Sequence, residues 1–447
     1  MNEQKTLMTE GTIWKILIRF AIPLFLGNLF QQLYNAVDSL VVGNFCGNDA
    51  LAAVSSSGSI CHLLIGFAQG LFMGSSVIIS HRYGARDQEG VKNAVHTTIW
   101  FSVVFGVILS ILGVIFTPTI LKWMGTPENV MVNSIVYFRL YCLGLLGLVL
   151  YNTVTGIFQA LGDSKHPLYY LIISSIANVV LDLLFVAVLD MGVAGAALAT
   201  VIGQSLSAVL GFIHLMSGKF LIKVEWKQIR PDFKLLKQVL GLGLPSGVQN
   251  SVIAIANVVV QSNINSFGDL AMAGCGSYSK IQGFVFLPVT SLCMALTTFV
   301  GKNLGANKLD RIKTGIKEGI VMGVISAGLF GVFMYFCAPF FVRMFSDDPA
   351  VVAFGVQQAK TESLFYGLLS FSHLAAAILR GAGKTTIPMF VMLGDWCVFR
   401  IIYITTLVHF IPDIRVVFSA YPVTWTISAI IFAFFLIKGD WLRKKAL

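Results

Sequence analysis

Long apolar runs separated by short polar segments recur along the whole chain. About 20 consecutive apolar residues form one helical membrane span, and each of these runs reaches that length. Many contain Gly and Ser, residues that let membrane helices approach one another closely. The runs lie at 15–43, 50–80, 94–117, 131–161, 167–189, 193–217, 235–266, 270–300, 315–341, 352–379, 387–411 and 417–437. The pattern predicts an all-α polytopic membrane protein with twelve transmembrane helices.

Composition supports a membrane protein. Of the 447 residues, 56% are hydrophobic and 12% are charged, whereas an ordinary soluble domain is about 25% charged. The first apolar run is longer than a signal-peptide core and lacks a small-residue cleavage site, so we expect no cleavable signal. The seven cysteines show no C-x-x-C spacing and lie mostly inside spans. We therefore expect no redox or metal cofactor built from them.

Lys and Arg are distributed unevenly between the two sets of loops. One side carries the N-terminus and these basic positions: Arg82, Arg86, Lys92, Lys165, the stretch from Lys219 to Lys237, the stretch from Lys302 to Lys317, Arg380, Lys384, Lys438, Arg443, Lys444 and Lys445. The other side carries three basic and seven acidic residues: Lys122, Arg343, Arg415, Asp49, Glu128, Asp190, Asp269, Asp347, Asp348 and Asp413. The positive-inside rule then predicts that both termini lie in the cytoplasm. The net charge of +10 reflects this topology and some attraction to anionic lipid, and we expect no nucleic-acid partner.

The chain contains two copies of one unit. Three blocks repeat: "CGNDALAAV" is answered by "FGDLAMAGC", "HRYGARDQEGVKNAV" by "KNLGANKLDRIKTGI", and "QALGDSKHP" by "LRGAGKTTIP". Three residue pairs are 221 apart and a fourth is 222 apart: Gly47 and Gly268, Gly84 and Gly305, Pro167 and Pro388, and then Pro23 and Pro245. Fixed-period similarity of this kind indicates an internal repeat.

The repeat predicts the domain organisation. Six spans per copy is an even number, so both copies insert the same way up and are expected to be related by a pseudo-two-fold axis along the membrane normal. Secondary transporters of this plan rock one lobe against the other. We expect an N-terminal lobe at 1–217, a cytoplasmic linker at 218–234 and a C-terminal lobe at 235–447.

One carboxylate lies inside the first span. Gln31, Tyr34, Asn35 and Asp38 are spaced by three and four residues and form one polar stripe. An Asp at the middle of a transmembrane helix costs about 2.5–3.5 kcal/mol. The stripe could merely join the helices of its lobe, but Gln or Asn would do that without the cost of an ionisable group. The interpretation that Asp38 has a functional role is therefore favoured.

Two later spans carry matching polar groups. Asn178 and Asp182 are one turn apart on the fifth span, and Thr200 and Gln204 are one turn apart on the sixth. Carboxylate, amide and hydroxyl oxygens suit a hard monovalent cation, and two acids can share a proton. The spacing by itself does not show that these helices meet.

The repeat restricts the acids to one lobe. A shift of 221 residues carries Asp38 to Val259 and Asp182 to Tyr403, so the scaffold is duplicated but the acids are not. We expect the coupling-ion site only in the N-terminal lobe. The second half has other intramembrane charges, whose structural or functional role stays open: Lys280, Glu362, Asp395 and Arg400.

A polar substrate cavity is also expected. The seventh span presents Asn250, Asn257 and Gln261 on one face. The candidate cavity residues are Gln31, Tyr34, Asn35, Asn152, Gln204, Asn257, Gln261 and Lys280.

These features resemble the MATE family, multidrug and toxic compound extrusion. The resemblance rests on the twelve spans in a 6+6 repeat together with "YNAVDSLVVG", "ALAAV", "GVAGAALAT" and "QALGDSKHP". It implies export of amphipathic, often cationic, compounds by alternating access in exchange for Na⁺ or H⁺, with no enzymatic activity and no cofactor besides the coupling ion. The chain is most similar to the bacterial and archaeal DinF-like and MepA-like branch.

That branch implies specific residue roles. Its N-lobe cation site falls here on Asp38, Asn178, Asp182 and Thr200, and its bend in the first helix falls on Pro23. The NorM-like branch places acids on the seventh helix, where this chain has none before Asp269. The resemblance therefore favours a site in the N-terminal lobe.

Other functions fit the sequence less well. A lipid-linked oligosaccharide flippase of the same superfamily is the alternative, but its cavity would need many cations, and only Arg139, Lys280, Lys360 and Arg400 are available. A membrane enzyme would need a catalytic constellation, and the chain has no H-E-x-x-H and only scattered histidines. A receptor or structural role would leave the paired acids unexplained. We expect small-molecule drugs, toxic cations and the lipid bilayer as partners and a monomeric state; the natural substrate and the choice of Na⁺ or H⁺ stay open.

Overall fold

The computed structural model describes residues 8–218, 222–439 and 441–442, without the side chains at 48, 49, 51, 52, 55–57, 59 and 62. Several charges used in the orientation argument therefore lie outside the described residues: Lys219, Arg443, Lys444, Lys445 and the side chain of Asp49.

The described helices form two compact units. The first contains Leu26–Gly243, and the second contains Met8–Phe25 together with Leu244–Leu447. Two long helices, α1 (Ile13–Cys46) and α8 (Phe233–Asn265), contribute residues to both. Each has a proline inside it close to the residue where it changes unit, Pro23 in α1 and Pro245 in α8. The predicted lobe boundaries and the predicted two-fold axis stay predictions.

Six further helices belong to the first unit: α2 (Asn48–Gly84), α3 (Gln88–Trp123), α4 (Glu128–Leu143), α5 (Leu145–Leu161), α6 (Lys165–Asp182) and α7 (Gly192–Met216). A π-helical turn, Leu183–Val188, continues α6. Between α7 and α8 the chain makes one 3₁₀ turn at Trp226–Gln228.

The second unit has eight helices of its own: α9 (Asp269–Val285), α10 (Leu287–Gly305), α11 (Leu309–Arg343), α12 (Pro349–Glu362), α13 (Tyr366–Gly381), α14 (Thr386–Met392), α15 (Arg400–Phe410) and α16 (Ile414–Lys438). The 3₁₀ turn Ser363–Phe365 joins α12 to α13, and the π-helical turn Leu393–Phe399 joins α14 to α15. The helices α12 and α13 together count as one span, and so do α14 and α15.

The prediction of twelve spans is confirmed. Among the described residues, ten helices are long and apolar enough to cross a membrane, and two bent pairs raise the number to twelve. α4 and α5 are bent by 46°, and α9 and α10 by 40°. Pro288 lies in the first turn of α10, where the missing N–H costs no helical hydrogen bond.

Apolar side chains lie both inside and outside each unit. The core of the first unit includes Ile78, Val95 and Phe158, all at most 1% exposed. On the outside, large side chains such as Ile115 and Phe336 are 61% and 74% exposed. Such surfaces are stable when lipid covers them. The chain is a multi-pass membrane protein.

Candidate cation site

The close approach of α6 to α7 creates the site. α7 has a small residue at every fourth position over Gly195, Ala199, Gly203 and Ser207, a pattern that lets membrane helices pack backbone to backbone. A Cβ added at Gly203 would lie only 3.1 Å from the Cβ of Asn178. Small residues on α7 therefore seat the polar end of α6 inside the unit.

Hydrogen bonds hold the same two helices together one turn away. The Ser207 hydroxyl lies 2.7 Å from the Ser174 hydroxyl and 3.0 Å from the Tyr170 carbonyl oxygen, to which it can donate. Ser174 in turn donates to the Leu171 carbonyl at 3.0 Å. This network fixes the register between α6 and α7, and with it the positions of the site residues that both helices carry.

The structure brings the predicted acids together. Asp38 of α1 is 9% exposed and Asp182 of α6 is 0% exposed, and their carboxyl groups are within side-chain hydrogen-bonding range of each other. The Tyr34 hydroxyl, one turn from Asp38, lies in the same range of Thr200 and Gln204 on α7. We call Asp38, Asn178, Asp182 and Thr200 the acid cluster; α1, α6 and α7 supply it.

The side chains of the acid cluster lie close together, but several of their polar atoms form no well-oriented hydrogen bond. Six of its buried side-chain atoms lack a well-oriented partner among the described residues: Asp38 Oδ1, Asn178 Oδ1 and Nδ2, Asp182 Oδ1 and Oδ2, and Thr200 Oγ1. Buried polar groups are normally hydrogen-bonded, and exceptions need an explanation. Five of the six atoms are oxygens, the donor type of a hard monovalent cation, and two facing carboxyls can also share one proton. The residues present thus fit either coupling ion.

Two tyrosines near this cluster were not identified from the sequence. Tyr137 on α4 is 6% exposed and close enough to interact electrostatically with Asp38 and Asp182. Its ring stacks on Tyr141, with centroids 6.3 Å apart. Their i, i+4 spacing in "YFRLY" was visible, but nothing in it indicated which helix they face.

The helix geometry next to Asp182 is unusual. The π-helical turn Leu183–Val188 begins at the residue after this acid. π-helical turns inside α-helices occur frequently at functional sites. On the C-terminal side of Asp182, the backbone next to the acid cluster therefore departs from ordinary α-helical geometry.

The other predicted residues of the first unit are more open. Gln31 is half-buried and Asn35 is exposed. Asn152 donates to the Leu148 carbonyl at 2.9 Å and lies 3.5 Å from the Gln69 amide nitrogen. These side chains remain available to a ligand, unlike the buried acids.

Three candidate cavity residues lie in the second unit. Asn257 is exposed, and Gln261 donates to Asn265 on the same helix at 2.9 Å. Lys280 is also exposed, and its ammonium lies 5.6 Å from the centre of the Phe345 ring.

Glu362 in the second unit differs from the acid cluster. It is 0% exposed, and its carboxylate accepts hydrogen bonds from Gln358 at 2.8 Å, Gln282 at 3.1 Å and Tyr278 at 3.4 Å. Its oxygens are satisfied by the protein itself. This arrangement is typical of a structural hydrogen-bond network, in which the carboxylate has no need of a bound ion.

Arg400 and Asp395 make no ion pair within the described part of the chain. Arg400 instead donates twice to the Thr424 hydroxyl, at 2.7 and 3.3 Å, and lies over the Tyr421 ring at 4.6 Å. The two oxygens of Asp395 have no well-oriented hydrogen-bond partner, although Ser428 is close. In the described part of the chain, Arg400 and Asp395 therefore lack the direct ion pair that would have indicated a purely structural role for both.

The MatE family model matches the chain twice, at residues 23–184 and 245–406. Both matches begin at a proline of a helix shared between the units, and they lie 222 residues apart, which confirms the internal repeat. The chain belongs to the MatE family. The resemblance stated from the sequence motifs is thereby confirmed.

Curated relatives of this MatE chain extend over most of its length. It is 30% identical to "Probable multidrug resistance protein YoeA" of Bacillus subtilis (strain 168), covering 96% of both chains. It is 21% identical to "Multidrug export protein MepA" of Staphylococcus saprophyticus, covering 86% of each.

Solved structures share the fold. A MATE protein described in complex with MaL6 superposes with a TM-score of 0.92 at 24% identity, covering 100% of both chains. An outward-facing multidrug resistance MATE transporter of the MOP superfamily gives 0.91 at 24% identity, covering 99% of both. At this identity the likeness shows the architecture alone.

Proposed function

We propose that this MatE chain is a cation-coupled multidrug efflux antiporter. It exports amphipathic, often cationic, compounds by alternating access in exchange for H⁺ or Na⁺. The names of the curated relatives support multidrug export. The observation that carries the coupling is the buried pair Asp38 and Asp182: Oδ1 of Asp38 and both carboxyl oxygens of Asp182 have no well-oriented hydrogen-bond partner among the described residues.

The acid cluster couples ion binding to a change in α1. With the cluster empty, two buried carboxyls face each other, and a proton or Na⁺ relieves their repulsion. Asp38 shares α1 with Pro23, which has no N–H to donate to the Arg19 carbonyl and so weakens the helix there. Loading the site therefore changes how α1 packs against α6 and α7. Pro23 is the hinge in this proposal.

The drug contacts the predicted cavity residues, all of which except the buried Tyr34 are more open than the acids. We assign it Gln31, Tyr34, Asn35, Asn152, Gln204, Asn257, Gln261 and Lys280. Tyr34 has a special place because it lies near both Asp38 and Thr200. Movement of α1 then changes the drug surface and the ion site together.

An antiporter must not carry ion and drug together, so the two ligands should antagonise each other. Linkage is reciprocal: if the cation weakens drug binding by some factor, the drug weakens cation binding by the same factor. A coupling of about 1–3 kcal/mol, roughly 5–150-fold in affinity, is typical. Drug affinity of the purified protein, measured across a pH series and a Na⁺ series, tests this. Affinity that stays flat in both series, with transport still driven by the gradient, would refute competition through the acid cluster.

The coupling ion and the orientation need their own measurements. Ethidium efflux from proteoliposomes under an H⁺ gradient or a Na⁺ gradient, imposed separately, identifies the ion. We place the protein in the plasma membrane as a monomer, with both termini and the linker 218–234 in the cytoplasm. Membrane-impermeant labelling in intact cells of a cysteine introduced at Lys317, in a variant whose seven native cysteines are replaced by serine or alanine, tests the orientation, since labelling from outside would reverse it.

A further inference from the structure

Residues 222–232, the described part of the segment that precedes α8, are held firmly against the first unit. The Val224 N–H donates to the Leu215 carbonyl at 3.0 Å, and the Val224 side chain is only 2% exposed. The Glu225 N–H donates to Nε2 of the buried His96 at 3.2 Å. The segment is therefore a fixed surface element between two membrane spans.

A second set of contacts anchors the end of the segment. The Asp232 N–H donates to the Thr97 hydroxyl at 3.3 Å, and Leu235, in the first turn of α8, is 2% exposed. The neighbouring Phe233 ring makes an edge contact with Trp100 of α3. Because α7 and α8 are both spans, a segment fixed in this way must lie at the edge of the bilayer.

The exposed side chains of this segment and of the first turns of α8 are largely basic and aromatic. Trp226 and Phe233 are 64% and 71% exposed. Five cationic side chains are exposed beside them: Lys223, Lys227, Arg230, Lys234 and Lys237. We call these seven residues the basic linker face.

The two acids of the segment, Glu225 and Asp232, offset only part of the charge of the five cations. Glu225 accepts a hydrogen bond from Gln228 at 2.6 Å. Asp232 accepts from the N–H groups of Lys234 and Leu235 at 3.0 and 3.1 Å and so caps the start of α8. Within the described part of the chain none of the five cations makes an ion pair. The five cations are therefore exposed to the surroundings of the protein.

We propose that the basic linker face binds the headgroups of anionic phospholipids. Clustered Lys and Arg next to a span attract anionic lipid, and exposed Trp is favoured at the headgroup level. A soluble anion would match the charges but would leave Trp226 and Phe233 in water. The anchored backbone presents the cations already in place, which reduces the ordering cost of binding. The inference needs only the membrane location of the chain and holds whether or not it is an antiporter.

Binding of dansyl-labelled phosphatidylglycerol tests this proposal. The full-length protein is placed in phosphatidylcholine nanodiscs, and energy transfer from tryptophan to the dansyl group is measured. The part of this signal that disappears in a Trp226→Phe protein is the energy transfer from Trp226. Dansyl-labelled phosphatidylcholine is the reference lipid. The intact protein should prefer phosphatidylglycerol, and added salt should weaken the preference by screening.

Matched charge removals separate this face from general basicity. Lys227→Gln/Arg230→Gln should lower phosphatidylglycerol affinity about 30-fold, since each cation near the surface contributes about fivefold. The control Lys165→Gln/Lys317→Gln removes two exposed cations from the same predicted side, neither of them ion-paired within the described residues, and should leave the affinity unchanged. Lys227→Arg/Arg230→Lys keeps both charges and should keep the lipid preference, which guards against a folding effect.

Three results would overturn the proposal. Equal loss in both double variants would mean that only net charge matters. Equal energy transfer from the two lipids would remove the preference for anionic headgroups. Displacement of the labelled lipid by inorganic phosphate at matched ionic strength would indicate a site for soluble anions instead.

Discussion

Replacing Asp38 by Asn tests the acid cluster most directly. The change keeps the shape of the side chain and removes the group that binds and releases a cation or proton. It also puts an amide donor beside Asp182, whose two carboxyl oxygens have no well-oriented partner. We expect opposite effects on stability and transport, which few substitutions would produce.

The size of the stability effect follows from the unsatisfied atoms. A buried polar group without a partner costs about 1–3 kcal/mol, and the new amide can satisfy one such oxygen of Asp182. Asp38→Asn should therefore raise the free energy of unfolding by about 1–3 kcal/mol, or leave it unchanged if the amide turns away. Gradient-driven transport should fall to the level of vesicles without protein.

Two assays on the same preparation measure these effects. Thermal unfolding of the purified protein in detergent gives the stability, and ethidium efflux from proteoliposomes gives transport under an imposed H⁺ or Na⁺ gradient. Asp310→Asn is the matched control, because the Asp310 side chain is fully exposed at the start of α11 and the same chemical change there should alter neither result.

The reasoning fails under clear conditions. Normal efflux by a well-expressed Asp38→Asn protein would exclude a coupling role for this residue. A strongly lowered unfolding temperature together with lost efflux would mean that Asp38 stabilises the fold, and the unsatisfied atoms would then need another explanation.

Three further predictions follow from the same contacts. Gly203→Ala should lower stability by about 1–3 kcal/mol through overpacking and weaken ion dependence, because its added Cβ would lie 3.1 Å from the Cβ of Asn178 and push on that side chain; Gly241→Ala, with nothing within 4 Å of its added Cβ, is the control for thermal unfolding and efflux. Pro23→Ala restores a helical hydrogen bond, so the protein should bind drug but move it slowly, with a drug affinity that responds less to pH or Na⁺; wild-type transport rates would contradict the hinge. Glu362→Gln and Asp395→Asn should leave the ion dependence of efflux unchanged, and loss of that dependence in either one would place a coupling site in the second unit.

The sequence determined the features that depend on local composition. A span is recognised from about 20 apolar residues, so all twelve were located, even where α4–α5 and α9–α10 bend within one span. The repeat was readable for a similar reason, because turn glycines and prolines keep their spacing when a unit is duplicated. The candidate acids stood out because an ionisable residue in a span is costly.

Only the tertiary structure decided which of these residues meet. Asp38 and Asp182 are far apart in sequence, and their contact depends on how closely α6 packs on the small residues of α7. Tyr137 joins them because α4 packs on the same side, which its spacing alone did not reveal. In the same way, the sequence marked 218–234 as a charged linker, but His96 and Thr97 of α3 hold it against the first unit. Side-chain proximity between distant helices depends on packing, and packing is a property of the whole fold.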